Sequence, residues 1–271
     1  LAGPEPTAGD LRPSRYEDLS FSKDETRLFF GLAPDPVLRD TTLLEEEIVN
    51  VEVWTWDEPR LYTVQEMQVK NDTTKGFATV YHLPVNQMSQ LATEAFPDIE
   101  VGDEGNARHA LLSTSAPYDL ERQWTGRRAR DYALVNVEDG SGRKILTRVA
   151  GRVGLSPKGG YVFGYNSTDS TWFAYNVKES GYKDLTGGRV FYDELHDSPS
   201  PPPPYGAAGW TEKDGALILY DRYDLWKFNP DMGYCERHTG GRAKSGVYRY
   251  IEREPNKKYV DSKRTWLLTT F

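Results

Sequence analysis

The residues able to act as nucleophiles or metal ligands are few and lie far apart in the sequence. Cys235 is the one cysteine, so it has no partner for a disulfide or a CxxC pair, and we expect a small strand side chain. The four histidines lack HxH and HExxH spacing, so no metal site is predicted. They are His82, His109, His196 and His238. The turns GDEGNAR and DGSGR lack the Gly-Lys-Ser/Thr ending of a phosphate loop, and no cofactor is predicted either.

The segment 153–188 consists of short alternating runs separated by tight polar turns. Four of these runs are typical of strands, namely VGLS, YVFGYN, TWFAYNV and YKDLT. The same pieces recur over 207–241 as AAGWT, ALILYD, DLWKFN and YCERHT. Ser156 and Thr211 occupy equivalent places, 55 residues apart. Each segment is therefore predicted to be a four-stranded antiparallel meander.

Two earlier copies and the beginning of a later one follow the same pattern. Gly102 takes the place of Ser156 in the second copy, and Ser22 takes it in the first. The spacing of 80 residues between Ser22 and Gly102 exceeds the repeat because an insert, 34–76, interrupts the first copy. A fifth copy opens at GVYRYIER and is not completed, which predicts a piece of a larger repeat protein.

These repeats predict an all-β fold, a partial β-propeller of about four four-stranded antiparallel blades plus the start of a fifth. A β-sandwich is the rival fold, although a sandwich need not repeat every ~55 residues. We expect an N-terminal segment, 1–15, followed by a propeller over 16–271. The predicted blades span 16–96 with the insert, 97–150, 151–190, 205–242 and, incomplete, 245–271.

The composition fits a strand-rich fold and excludes several classes of partner. Aromatic residues make up 13% of the 271 residues, which favours half-buried pleated surfaces over helices. The formal net charge is −8 and no basic stripe is visible, so nucleic acid is not an expected partner. No apolar run approaches the length of a membrane span.

Four blade motifs resemble the propeller domain of the prolyl oligopeptidase family of serine peptidases. They are LSFSKDETRLFFG, GLSPKGGYVFGY, WTEKDGALILYDRYDLWKFNP and RDYALVNVEDGSGRKILT. The similarity covers about residues 16–271 and is greatest to bacterial members of the dipeptidyl-peptidase and acylaminoacyl-peptidase type. The order of the segments along the chain is the most specific feature of this resemblance. A first blade split by a long insert containing VEVWTW is followed by regular blades.

The resemblance implies a larger parent protein in which two domains have different functions. A C-terminal α/β-hydrolase domain would carry out peptide hydrolysis, and the propeller would gate the access of peptide substrates to it. The family also suggests a bacterial protein that is periplasmic or exported.

The nucleophile elbow that this resemblance implies, Gly-x-Ser-x-Gly, occurs nowhere in the chain. Ser156 has Gly154 two residues before it, but Lys158 stands where the second glycine belongs. A hairpin rather than a helix is predicted to follow it, which is the wrong context for an elbow. No catalytic residue is therefore assigned, and the hydrolase domain is expected to be absent from this chain.

The resemblance also directs attention to Glu45, Glu46 and Glu47 in the insert. Dipeptidyl peptidases hold the N-terminal amine of the substrate with a pair of propeller glutamates, and carboxylates around an ammonium make charge-assisted hydrogen bonds. A solvated acidic turn or helix is the alternative, because the family places its pair in a different part of the propeller. These three residues are the candidate substrate-binding site.

Other interpretations stay open at this point. The proline-rich loop 191–206 is either an extended spacer or a docking motif. The chain as a whole is either the gating propeller of a peptidase or a stand-alone propeller that binds a protein or ligand, and a homo-oligomer is compatible with both. A glycan-active propeller would need acidic and tyrosine side chains clustered at the axis.

Overall fold

The computed structural model describes residues 11–35, 42–47, 55–254 and 256–271, and for Glu45 it describes the backbone alone. The first sheet has the strand order β1-β3-β4-β5, and β2 also pairs with β3. Its strands are β1 (Leu11–Pro13), β2 (Ser20–Phe21), β3 (Arg27–Pro34), β4 (Phe77–His82) and β5 (Gln87–Gln90). The edge position beside β3 is thus shared by two short strands, and β1 lies before residue 16.

The next three sheets are four-stranded antiparallel meanders in chain order. The second contains β6 (Asp98–Val101), β7 (His109–Thr114), β8 (Ala129–Asn136) and β9 (Gly142–Ala150). The third contains β10 (Val153–Leu155), β11 (Tyr161–Asn166), β12 (Thr171–Asn176) and β13 (Gly181–Asp184). The fourth contains β14 (Ala207–Trp210), β15 (Leu217–Tyr220), β16 (Leu225–Asn229) and β17 (Tyr234–Arg237).

A fifth sheet has two strands, β18 (Tyr248–Tyr250) and β19 (Leu268–Thr270), which pair antiparallel. Among the described residues two α-helices lie in loops, α1 (Tyr62–Thr74) in the first and α2 (Asp119–Thr125) in the second sheet. The predicted fold class, a partial β-propeller with the start of a fifth blade, is confirmed.

In the part of the chain that the structure describes, the core consists of four apolar layers, one between each pair of consecutive sheets. Strand β15 shows why the sequence LILY is apolar throughout. Leu217 and Leu219 pack towards the third sheet, while Ile218 and Tyr220 pack towards the fifth. Side chains alternate between the faces of a strand, so a strand with neighbours on both faces must be apolar at every position. Full burial of each leucine or isoleucine contributes about 1.5–3 kcal/mol.

At one end of the sheets, the tight turns make polar contacts between neighbouring blades. Lys158 Nζ lies 2.5 Å from Asp103 Oδ1, which links the second and third sheets. Asp214, buried in the first turn of the fourth sheet, accepts hydrogen bonds from Ser156 Oγ at 2.5 Å and from the Gly160 amide at 3.0 Å. These contacts fix the register between neighbouring sheets.

Candidate functional site

Three long connecting segments lie at one end of the propeller, which we call the loop end. In the first four sheets the connections from strand one to two and from three to four are short turns at the opposite end, the turn end. The fifth sheet differs, because the segment 251–267 that joins β18 to β19 is long and contacts the turn end at Trp210 and Thr211. Segments 35–76 and 115–128 join the second and third strands of their sheets, and 185–206 joins the third sheet to the fourth. Consecutive antiparallel strands place all three segments at the same end. The loop end is where a propeller of this build can select a ligand.

The loop 115–128 is held to its sheet by one buried carboxylate. Asp131 Oδ1 accepts hydrogen bonds from Tyr118 Oη at 2.6 Å and from the Arg148 amide at 2.9 Å, and Lys144 Nζ lies 2.5 Å from Oδ2. Burial would raise the pKa of Asp131, but the hydrogen bonds from Lys144, Tyr118 and the Arg148 amide together lower it below its ordinary value. The base of this loop is therefore anchored by a charged network.

The short helix α2 is fixed at both ends. Glu121 makes a bidentate ion pair with Arg148, at 2.6 and 2.7 Å. Gly126 has a φ of 68° and donates its amide to the Arg122 carbonyl at 2.9 Å, an αL cap that suits glycine. Because the helix is fixed, the side chains on its outer face are presented in a defined arrangement.

The loop 115–128 also contacts the first-blade insert. Gln123 Nε2 donates to the Glu58 carbonyl at 2.9 Å. Two tryptophans on these adjoining segments are almost fully exposed, Trp56 at 90% and Trp124 at 83%. Large apolar side chains exposed together on a soluble surface commonly mark an interaction site.

A cleft of about 570 Å³ lies at the loop end between the third and fourth sheets. Arg242 Nη2 lies 2.5 Å from Glu194 Oε1 and 3.6 Å from Asp221, and the hydrogen bond to Glu194 raises the pKa of Arg242. Arg189 lies over the ring of Trp226 at 5.7 Å. Paired charges next to an aromatic wall suit a small polar ligand with a flat apolar part. The residues come from three separated segments, so no local motif in the sequence indicates this cleft.

The predicted glutamates form a single 3₁₀ turn, Glu45–Glu47. Glu46 and Glu47 are exposed, and Glu47 Oε2 accepts a hydrogen bond from the Leu44 amide at 2.9 Å. The side chain of Glu45 lies outside the described part of the structure. Binding of a substrate amine by these residues stays a prediction.

Ser156 is almost fully buried, and its hydroxyl makes hydrogen bonds that stabilise the turn. It donates to Asp214 and accepts a hydrogen bond from the Tyr161 amide at 2.9 Å. Ser22 accepts the amide of Arg27 at 3.0 Å and Thr211 that of Ala216 at 2.9 Å, in the same five-residue pattern. The equivalence of these positions in the sequence thus reflects a repeated turn.

The thiol and the histidines lie apart from one another. Cys235 lies in β17 with its sulfur 2.7 Å from Arg189 Nη1. His82 is buried and hydrogen-bonded to the Val137 carbonyl at 3.0 Å, and His238 contacts the Trp266 ring at 4.5 Å between centroids. Among the described residues, no three His, Cys, Asp or Glu side chains group as metal ligands.

The proline-rich loop is held by backbone hydrogen bonds to the third sheet and within itself. The Pro202 carbonyl accepts from Tyr165 Oη at 3.0 Å, and the Pro203 carbonyl accepts the Asp193 amide at 2.8 Å. The use of this loop as a spacer or as a docking motif stays a prediction. No helix in the described ranges has the length and apolarity needed to cross a membrane.

Comparison with known proteins finds similar folds among solved structures. The matches include dipeptidyl peptidase 4 from Porphyromonas gingivalis, with 12% identity, a TM-score of 0.44, and coverage of 86% of this chain and 31% of that one. They also include oligogalacturonate lyase from Vibrio parahaemolyticus, with 11% identity, a TM-score of 0.40, and coverage of 85% and 55%. TolB from Acinetobacter baumannii matches with 10% identity, a TM-score of 0.35, and coverage of 83% and 42%.

These similarities concern the fold alone. The chain spans between 31% and 55% of the length of these three proteins. Comparison with family models and with curated proteins gives no match.

Proposed function

We propose that this chain is the propeller part of a prolyl-oligopeptidase-like serine peptidase and that it gates peptide access to an α/β-hydrolase domain outside this sequence. The observation that carries the proposal is that three long segments, 35–76, 115–128 and 185–206, lie at one end of the propeller, where they can narrow an entrance. The blade motifs and the split first blade support the family. Residues 16–271 would form most of the propeller unit, and β1 (Leu11–Pro13) of the preceding segment 1–15 adds to its first sheet.

Ser156 is the reason why this proposal assigns catalysis to a separate domain. A nucleophile must be reachable and paired with a base, whereas Ser156 Oγ is buried and donates to a carboxylate that also holds the Lys158 amide at 3.0 Å. The peptidase chemistry would therefore be supplied by the separate domain. The propeller would contribute selection by size, because an extended peptide passes between loops that exclude a folded protein.

A fluorophosphonate probe applied to the full-length parent protein tests the catalytic half of the proposal. We expect the parent to be labelled and residues 1–271 alone to remain unlabelled. A folded parent that resists labelling would overturn the peptidase assignment. Fractionation of the bacterial host tests the proposed periplasmic or exported location with the same parent.

The gating half is tested by shortening one loop. Replacing 116–128 of the parent by a short turn should increase cleavage of a large protein substrate relative to a short peptide. A matched shortening of the loop 83–86 at the turn end serves as the control. An unchanged ratio of the two activities would contradict gating by the loop end.

A stand-alone binding propeller is the second candidate, and the cleft between the third and fourth sheets favours it. Trp226 forms an aromatic wall of the cleft, and its Nε1 donates to Asp221 at 3.1 Å. On this alternative the parent resists the probe, while a ligand found by screening loses affinity in Trp226→Ala. The peptidase proposal does not require that cleft to bind anything.

A further inference from the structure

The exposed face of α2 and the adjoining loop combine an aromatic side chain with unpaired cations. We define the Trp–Arg patch as Arg122, Trp124, Arg127 and Arg128. All four side chains are exposed. Within the described residues none of the three guanidinium groups has an ion pair or donates a hydrogen bond, whereas Arg148 nearby is paired with Glu121. Tryptophan and arginine are the residues most enriched at the energetic centres of protein interfaces.

The charge of this patch opposes that of the molecule as a whole. The chain carries 41 acidic and 33 basic residues, yet the patch itself holds three cations. Asp119, at the start of α2, adds one negative charge nearby. A cationic surface on an acidic protein is attractive to another copy of the same protein when that copy presents an acidic segment.

Such an acidic segment lies at the same end of the molecule. We define the Leu–Glu turn as Leu43, Leu44, Glu46 and Glu47. Leu43 is 47% and Leu44 is 61% exposed, and both glutamates are exposed. In the described part of the chain no ion pair joins Glu46 or Glu47 to any arginine. The turn therefore offers apolar and anionic groups complementary to those of the Trp–Arg patch.

We propose that the chain self-associates through the loop end, with the Leu–Glu turn of each copy seated on the Trp–Arg patch of the other. When two copies are related by a twofold axis, the turn of each copy contacts the patch of the other. The same contact then forms twice, which gives a closed dimer. In this arrangement leucines cover Trp124 and glutamates pair with arginines. The inference is independent of the peptidase proposal, and it gives Glu46 and Glu47 a use other than binding a substrate amine.

Sedimentation velocity of the chain over a range of concentrations tests this arrangement. We expect a dimer whose dissociation constant rises with salt, since exposed ion pairs are screened. Trp124→Ala should weaken the dimer by about tenfold or more, as loss of an interface anchor does. Arg127→Glu/Arg128→Glu and Glu46→Lys/Glu47→Lys should each weaken it to a similar degree.

The decisive step is to mix the two charge-reversed variants. Reversed charges on both sides restore attraction between unlike copies, so the mixture should form a heterodimer within about threefold of the original affinity. Lys178→Glu/Lys213→Glu makes the same charge change at the turn end and should leave the dimer intact. Circular dichroism establishes that each variant is folded.

Three outcomes would overturn the proposal. The first is a chain that stays monomeric at every concentration in low salt. The second is a dimer that none of the loop-end variants weakens, or that the mixture does not restore. The third is a monomer whose arginines bind nucleic acid or an unrelated acidic protein. Probe labelling of the parent protein does not depend on any of these results.

Discussion

At the scale of single residues, the buried carboxylate Asp214 joins the fourth sheet to the third. It accepts hydrogen bonds from Ser156 Oγ, the Lys158 amide and the Gly160 amide. Asp214→Ala leaves these donors without a partner, and we expect it to lower the free energy of unfolding by about 3 kcal/mol. Urea denaturation followed by tryptophan fluorescence measures the loss.

A matched control is the exposed Asp197→Ala, which should change the free energy of unfolding by less than about 0.5 kcal/mol. A loss below about 1 kcal/mol in Asp214→Ala would contradict the role given to this carboxylate. It would mean that the turn end does not fix the register between the third and fourth sheets.

The turn residues also show how far sequence reasoning reaches at this scale. The shared position of Ser156 and Thr211 is visible in the sequence because the turn repeats within each blade. The pairing of Ser156 with Asp214 is not visible, because it depends on how two sheets stack. The same limit applies to the cleft of Arg189 and Arg242, whose members meet only in three dimensions.

At the scale of elements, the anchoring of the loop 115–128 by Asp131 makes a pH-dependent prediction. The pKa of Asp131 is lowered in the folded protein, so its charge stabilises the fold above the ordinary aspartate pKa of about 3.9. That contribution is lost as the pH falls through the lower, folded pKa. Asp131→Asn should therefore destabilise the protein at pH 7, and its difference from the unmodified chain should shrink below about pH 4.

The measurement is the free energy of unfolding of both proteins at several pH values between 7 and 3. Asp197→Asn is the control and should show no such convergence, because Asp197 is exposed. A constant difference across this range would show that the loss comes from the shape of the side chain and not from its charge.

Local anchoring by the same carboxylate is measured by limited trypsin digestion. Arg127 and Arg128 lie exposed in the loop, and exposed loops are preferred sites of cleavage. Asp131→Asn should speed cleavage there without speeding cleavage at Lys178, which lies in a turn of the third sheet. Equal acceleration at both sites would indicate global unfolding instead.

The elements themselves divide into those that the sequence predicts and those that it does not. Strands such as YVFGYN and TWFAYN were predictable because alternation and turn residues bound them. The helix α1 was not, since it buries none of its side chains and its sequence has no amphipathic pattern. The insert that contains it was recognised only because it lengthens one repeat.

At the scale of the whole molecule, the fold class followed from the ~55-residue repeat, since each copy specifies a four-stranded sheet with two faces to bury. The role of the parent protein did not follow, because the gating proposed above would depend on a hydrolase domain outside residues 1–271. The layered core allows an experiment that compares the fold of this chain with that of its parent protein. Sheets in the middle of the series have neighbours on both faces, whereas no buried cluster of the described residues joins the first sheet to the fifth.

Hydrogen exchange, measured in the chain and in its parent, reports this difference in stability between the middle sheets and the fifth sheet. In residues 1–271 the amides of β11 and β15 should exchange slowly, and those of β18 and β19 rapidly, because a two-stranded sheet is marginally stable. In the described ranges β19 pairs with β18 alone. If the parent completes this blade, exchange of β19 should slow by about tenfold or more, while exchange of β11 stays the same. Equal exchange of β19 in the chain and the parent would mean that no strand is added there, and the fifth sheet would then be the edge of the propeller rather than its continuation.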